Sequence, residues 1–274
     1  MRAVRFFAFL SVLLAGVGGF AQSTQAQHAR VELLARQASI SPGSDLQLGV
    51  RFVLEPGWHI YWINPGDSGQ PLVLKWRLPD GFSAGEIQWP RPERMQPSKQ
   101  LADYGYHGEV LLPVTLHVPS ALNSRAPAEI GVEAKWLVCR EVCIPEHAQL
   151  QRALPVTAQA TTDQSFAPLF AATEKLLPQP LPRGWKASVT SAKDEFVLTI
   201  AAGKPVAKAV FFPLEPGQVD NPAPQKLQSS RTGVRIVLKK SDMLLKPIAV
   251  LRGVLVVPDG PAYRIDAPVR QPIQ

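Results

Sequence analysis

Proline falls at 27 of the 274 positions, about twice its usual share of roughly 5%. Its ring removes a backbone donor and breaks helix interiors and central strands, but it suits turns, strand ends and edges. A chain interrupted this often is not expected to be a helical bundle. Between the prolines the residues alternate with period two. Residues 31–35, 46–53, 72–76, 85–89, 109–118, 128–138 and 149–156 read as strands bounded by proline and glycine. Turn signals recur about every ten residues, which suits a β-sandwich. Pro65-Gly-Asp-Ser-Gly69 and Pro79-Asp-Gly81 are inserts with identifiable turn chemistry.

The pattern changes at about residue 158. Phe166, Leu169, Phe170 and Leu176 recur at helical spacing, Asp163 or Ser165 is a candidate cap, and Pro168 falls in or near the first turn, where a missing N–H is tolerated. These residues predict one short helix within 161–177, ending before Pro178. The segment Pro178-Gln-Pro-Leu-Pro-Arg-Gly184 reads as a semi-rigid linker. From Trp185 a second strand-rich block follows (186–189, 195–200, 207–212, 233–238, 248–257 and 262–265). The fold class is therefore all-β. The expected order is a segment removed in processing (1–26), a first sandwich (28–157), a helix with linker (158–182) and a second, smaller β-sandwich (183–274).

The processing segment is a secretory signal peptide. Arg2 and Arg5 precede an apolar run from Phe6 to about Val17, and small-residue sites follow, ending at Ala21 or Ala26. No later stretch reaches ~18 consecutive apolar residues, so no integral membrane segment is expected once the signal is removed. The net charge of +7 becomes +5 without Arg2 and Arg5, and the basic residues are scattered among acids. That is a solvated surface, without the clustered footprint of a nucleic-acid binder.

Export places the two cysteines, Cys139 and Cys143, in an oxidising compartment, where an even count normally means a disulfide. The pair encloses only Arg140, Glu141 and Val142, so it removes little unfolded-state entropy and is a poor staple. Strand patterns flank it, so the cysteines are expected to straddle a tight hairpin, with Cα atoms about 5.5 Å apart, within disulfide range. Arg140 would favour a thiolate and Glu141 would oppose it. Three readings stay open: an exchange-active pair, a structural hairpin clip, or metal binding in which His147 adds a third ligand and Met95 or His107 a fourth. The last lacks a zinc-finger spacing, and no cofactor or metal is expected. Two aromatic clusters remain. Trp58-His-Ile-Tyr-Trp62 is expected to be core in part, with His59 a partnered polar residue. Ala102-Asp-Tyr-Gly-Tyr-His-Gly-Glu109 reads as a glycine-hinged loop that either packs or covers a site.

Trp58-His-Ile-Tyr-Trp-Ile-Asn-Pro-Gly-Asp-Ser-Gly69, Tyr104-Gly-Tyr-His-Gly-Glu-Val110 and Trp136-Leu-Val-Cys-Arg-Glu-Val-Cys-Ile-Pro-Glu146 together resemble the N-terminal periplasmic domain of the thiol:disulfide interchange protein DsbD family, in the branch that includes ScsB. The likeness covers about 30–157. Phe211-Phe-Pro-Leu-Glu-Pro-Gly217 and Tyr263-Arg-Ile-Asp-Ala-Pro268 resemble that branch's second domain. The resemblance implies an immunoglobulin-like sandwich in the periplasm. Its cysteines would cycle between dithiol and disulfide, with Cys143 engaging partners and Cys139 resolving. It also implies a cap loop, matched in part by Asp103, Tyr104 and Gly105, with Tyr106 a second candidate for the cap aromatic. The implied partners are thioredoxin-like oxidoreductase domains and a membrane electron conduit. The family's membrane and thioredoxin-like portions are not in these 274 residues, so the donor would act in trans. The best-known members space their cysteines more widely than Cys-x3-Cys.

Overall fold

The computed structural model describes residues 23–122, 126–258 and 260–271, and the chain there is almost entirely β. The signal peptide read over 1–26 lies outside the described residues up to residue 22. The first unit contains β1 (Ser23–Gln25), β2 (Ala29–Ala35), β3 (Asp45–Leu54), β4 (His59–Gly66), β5 (Val73–Arg77), β6 (Ser83–Ile87), β7 (Glu93–Ser98), β8 (Leu101–His107), β9 (Glu109–His117), β10 (Ala128–Cys139) and β11 (Cys143–Leu154). One sheet runs in the order β1-β2-β3-β9-β6. The other runs β11-β10-β4-β8-β7, with β5 added on the first half of β10. This is the immunoglobulin-like sandwich.

Alternation builds the core between the sheets. Leu46, Leu48, Val50 and Phe52 of β3 face Val132, Ala134, Trp136 and Val138 of β10 in one buried cluster, and Phe52 meets the Trp136 ring edge-on at 5.0 Å. Each of the leucine, valine and phenylalanine side chains contributes roughly 1.5–3 kcal/mol on burial. Helix α1 (Ala167–Glu174) is shorter than the pattern predicts. The Asp163 carboxylate accepts from Ser165 N at 3.0 Å, within the approach to the helix, and Pro168 sits in the first turn. Phe170 packs on Leu34 and Leu111, so α1 covers the outer side of the first sheet.

The second unit contains β12 (Lys186–Ser191), β13 (Glu195–Ala201), β14 (Val210–Pro213), β15 (Lys226–Ser230), β16 (Gly233–Lys239), β17 (Val250–Val256) and β18 (Ala262–Arg270). They form one hydrogen-bonded path, β14-β17-β18-β12-β13-β16-β15, whose two arms close on a common core. The linker is not free. Gln179 bonds β18 through its N–H to Ala262 O (2.8 Å) and its carbonyl from Arg264 N (2.7 Å).

The two units pack tightly. Phe211 and Phe212 are neighbours in β14 and so face opposite sides. Phe211 enters the second core, while Phe212, Val254 and Ala262 join the core of the first sandwich. No helix among the described residues is long and apolar enough to cross a membrane.

Candidate redox site

Parity sets the site. Ile60 and Trp62 of β4, Tyr104 and Tyr106 of β8, Trp136 and Val138 of β10, and Ala148 and Leu150 of β11 all face the sandwich core. The odd-numbered residues therefore share the outer face of this sheet. Register gathers them at one end. Cys139 stands opposite both Cys143 and His59, His59 opposite His107, and Tyr61 opposite Gly105. Directly opposite residues keep their side chains on one face within contact reach.

Cys139 and Cys143 are joined as a disulfide across the hairpin, with Cα atoms 4.2 Å apart. That is shorter than expected from sequence and near the ~4.5 Å of a pair without direct ladder bonds. Arg140 N donates to Val142 O at 3.2 Å to close the loop. The Arg140 guanidinium lies 5.2 Å from the Trp58 ring centroid, keeping a positive charge on the hairpin. The same indole stacks on His28 at 3.6 Å.

The two sulfur-bearing residues are not equivalent. Cys139 is 2% exposed, while Cys143 is exposed, and so is Val142 beside it. The Tyr61 hydroxyl lies 3.4 Å from Cys143 Sγ. A disulfide sulfur carries no proton, so the phenol donates. Burial raises the Tyr61 pKa, against a lesser opposing effect of its Ser68 contact, and the group stays a neutral donor. Ser68 in turn is held by Asp103, donating its N–H to Oδ1 (2.9 Å) and its hydroxyl to Oδ2 (2.7 Å). Gly69 takes a φ of +76°, and a Cβ there would sit 2.1 Å from the Tyr61 ring, so only glycine lets the backbone lie flush on it. Tyr61, Ser68 and Gly69 are thus the cover of the exposed sulfur.

This corrects the cap read from sequence. The residues 101–107 form strand β8 rather than a loop, and the turn comes at Gly108 (φ +64°). Tyr104 and Tyr106 point into the sandwich, their hydroxyls donating to Asn221 Oδ1 (2.9 Å) and Pro90 O (2.7 Å). Burial raises both phenols' pKa values. Of the four residues Asp103, Tyr104, Gly105 and Tyr106, Asp103 reaches the site, through Ser68, and Gly105 stands opposite Tyr61. Glycine inside Asp-Tyr-Gly-Tyr-His hid an ordinary period-two strand.

The metal set does not assemble. His147 is four residues from Cys143 along an extended strand, about 13 Å away. Among the described residues, no three of His, Cys, Asp and Glu gather as a metal site.

His59 is the remaining polar group beside Cys139. It is buried, and among the described residues its Nε2 has no hydrogen-bond partner. Burial lowers its pKa, the neighbouring His107 adds to this, and Asp103 opposes it. An imidazole kept neutral in the fold but free to charge in the unfolded chain makes the fold acid-sensitive. Its contribution is complete above the unfolded value of about 6.5 and is lost as pH falls from there through the lowered folded value. The thermal midpoint is therefore expected to drop between pH 7 and pH 5 by more in the natural chain than in His59→Asn. Equal drops in a thermal melt series would remove His59 as the cause.

The family model described as thiol:disulfide interchange protein DsbD, N-terminal, matches residues 30–155. The crystal structure of the N-terminal periplasmic domain of ScsB from Proteus mirabilis is 17% identical and superposes with a TM-score of 0.70, over 92% of this chain and 98% of that one. That likeness is one of fold and spans both units. A protein of unknown function from Porphyromonas gingivalis W83, 10% identical over 87% of this chain and 96% of its own, has a TM-score of 0.25, too low to argue from. No curated protein matches the chain. The segment 30–155, whose cysteine pair closes the β10–β11 hairpin, is thus similar to the DsbD N-terminal domain.

Proposed function

We propose that the chain is a periplasmic thiol–disulfide exchange relay. It would pass electrons between a thioredoxin-like or membrane-bound donor and periplasmic oxidoreductases through Cys139 and Cys143. The observation that carries this reading is the inequality of the two cysteines, one buried and one exposed where the β10–β11 hairpin turns, beside an exposed Val142. Exchange needs one reachable sulfur for in-line attack and one leaving thiolate that stays close by.

The step balances as two electrons and two protons. A donor thiolate attacks Cys143 Sγ, the Cys143–Cys139 bond breaks, and Cys139 departs as a thiolate that takes up a proton. The donor's second thiolate then attacks its own sulfur in the mixed disulfide, so the donor leaves oxidised and Cys143 is released as a thiolate. In the forward relay that thiolate attacks the disulfide of an oxidised partner, and Cys139 then attacks Cys143 to re-form the starting bond. Tyr61, donating to Cys143 Sγ, favours the thiolate form of the contact sulfur.

The test is titration of the oxidised full chain with a reduced thioredoxin-fold protein, followed by thiol alkylation and mass measurement. Two alkylated cysteines per chain, matched by one oxidised partner, are expected. A chain that stays unalkylated in excess partner would contradict the proposal.

A further inference from the structure

The turn that covers Cys143 is held from two sides by the second unit. Asn64, fully buried at the end of β4, donates through Nδ2 to the Pro213 carbonyl of β14 at 2.8 Å, and its Oδ1 accepts from Gly66 N at 3.1 Å. Asp67 follows. Its Oδ2 accepts from Ala102 N (2.8 Å), its N–H donates to Ala102 O (3.1 Å), and its Oδ1 accepts from Asn221 Nδ2 of the second unit (2.8 Å). Asn221 is itself immobilised: Oδ1 accepts from the buried Tyr104 hydroxyl (2.9 Å), and its backbone carbonyl accepts from Arg94 (2.8 Å). The next residues are Ser68 and Gly69, which bear on Tyr61 and so on Cys143 Sγ. One contiguous path therefore runs from Asn221 through Asp67 and Ser68 to Tyr61 and the exposed sulfur.

We propose that the second β unit is the support of the disulfide's cover: Asn221 and the Pro213 carbonyl clamp the 64–69 turn, and Asn221 is a positioning residue that sets how readily a thiol reaches Cys143. A short turn with left-handed glycines at 66 and 69 opens at low cost unless it is tied to something rigid. The two asparagines tie it to a separate folded core. Access matters to function only if the pair exchanges, as proposed above, but shielding is measurable with a small thiol whether or not a protein partner exists.

The experiment compares second-order rates of disulfide reduction by dithiothreitol in the full chain. Asn221→Ala is expected to speed reduction roughly tenfold, the weight of one hydrogen bond to a charged group. Asp67→Asn, which keeps the volume and disturbs the same bond, should move the rate in the same direction. Arg91→Ala is the control. It removes an inter-unit bond, to Gly260 O at 2.7 Å, that does not touch the turn, and the rate should not change. Unchanged rates in both turn variants, or equal acceleration in Arg91→Ala, would overturn the clamp. If the dithiothreitol rates respond as expected while reduced thioredoxin-fold protein never reduces the natural chain, the clamp stands and the exchange reading falls.

Discussion

Cys139→Ala is expected to trap a thioredoxin-fold partner as a stable mixed disulfide through Cys143, and Cys143→Ala is not. In the first variant the exposed thiolate can attack a partner disulfide, but nothing in the chain can displace the partner afterwards. In the second the surviving thiol is Cys139, buried at 2% exposure behind the hairpin and β4, where in-line approach is blocked. The adduct yield should differ by roughly two orders of magnitude, because reaction follows access and thiolate fraction together. Non-reducing electrophoresis with a single-cysteine partner, preactivated as its mixed disulfide with thionitrobenzoate so that thionitrobenzoate is the leaving thiolate, reads the difference directly. Equal trapping by the two variants would mean that the asymmetry of the hairpin has no chemical consequence.

The second large effect concerns the seam between the units. Phe212→Ala is expected to cost about 3–5 kcal/mol, the usual price of emptying a buried aromatic site. The ring is 3% exposed and meets Tyr104 edge-on at 5.2 Å and Trp62 at 6.4 Å, so the vacated space borders both units. For a chain of this size each kcal/mol shifts the midpoint by ~2–4 °C, so thermal melting should begin roughly 10 °C lower. A shift below about 3 °C would mean that the seam relaxes around the loss and that Phe212 does not bind the units together. Because the clamp residues Asn64 and Asn221 sit at the same seam, this variant should also be reduced faster by small thiols.

Much of this architecture is legible in the sequence, and the exceptions have physical causes. The strands at 46–53, 109–118 and 128–138 follow from alternation, and the cysteine hairpin follows from the patterns that flank it. Strands β4 and β8 are harder to see. Trp58-His-Ile-Tyr-Trp62 is aromatic on both faces, one entering the core and the other lining the redox site, so composition conceals the period. In β8 two glycine-flanked tyrosines imitate a loop. Edge strand β15 (Lys-Leu-Gln-Ser-Ser) carries one apolar residue and gives no periodic signal. The site itself is half legible. Cys139 and Cys143 stand out by spacing, whereas Tyr61, Ser68 and Asp67 meet only through cross-strand register and a contact with the second unit, which lies some 150 residues further along the chain. Parity offers one usable signal: Tyr61 and Cys143 face outward once Trp62 and Ile144 are set inward. Asn221 has no such signal, because its role exists only where two units touch.

In the proposed relay the Cys139–Cys143 bond is made to be exchanged rather than kept. The most direct measurement is its reduction potential, obtained by equilibrating the full chain in dithiol buffers of defined ratio and alkylating the free thiols. An exchanging pair is expected above about −300 mV, within reach of thioredoxin-fold partners at roughly −270 to −120 mV. A potential below about −300 mV, where structural bridges lie, would contradict the account and leave the hairpin disulfide as a clip.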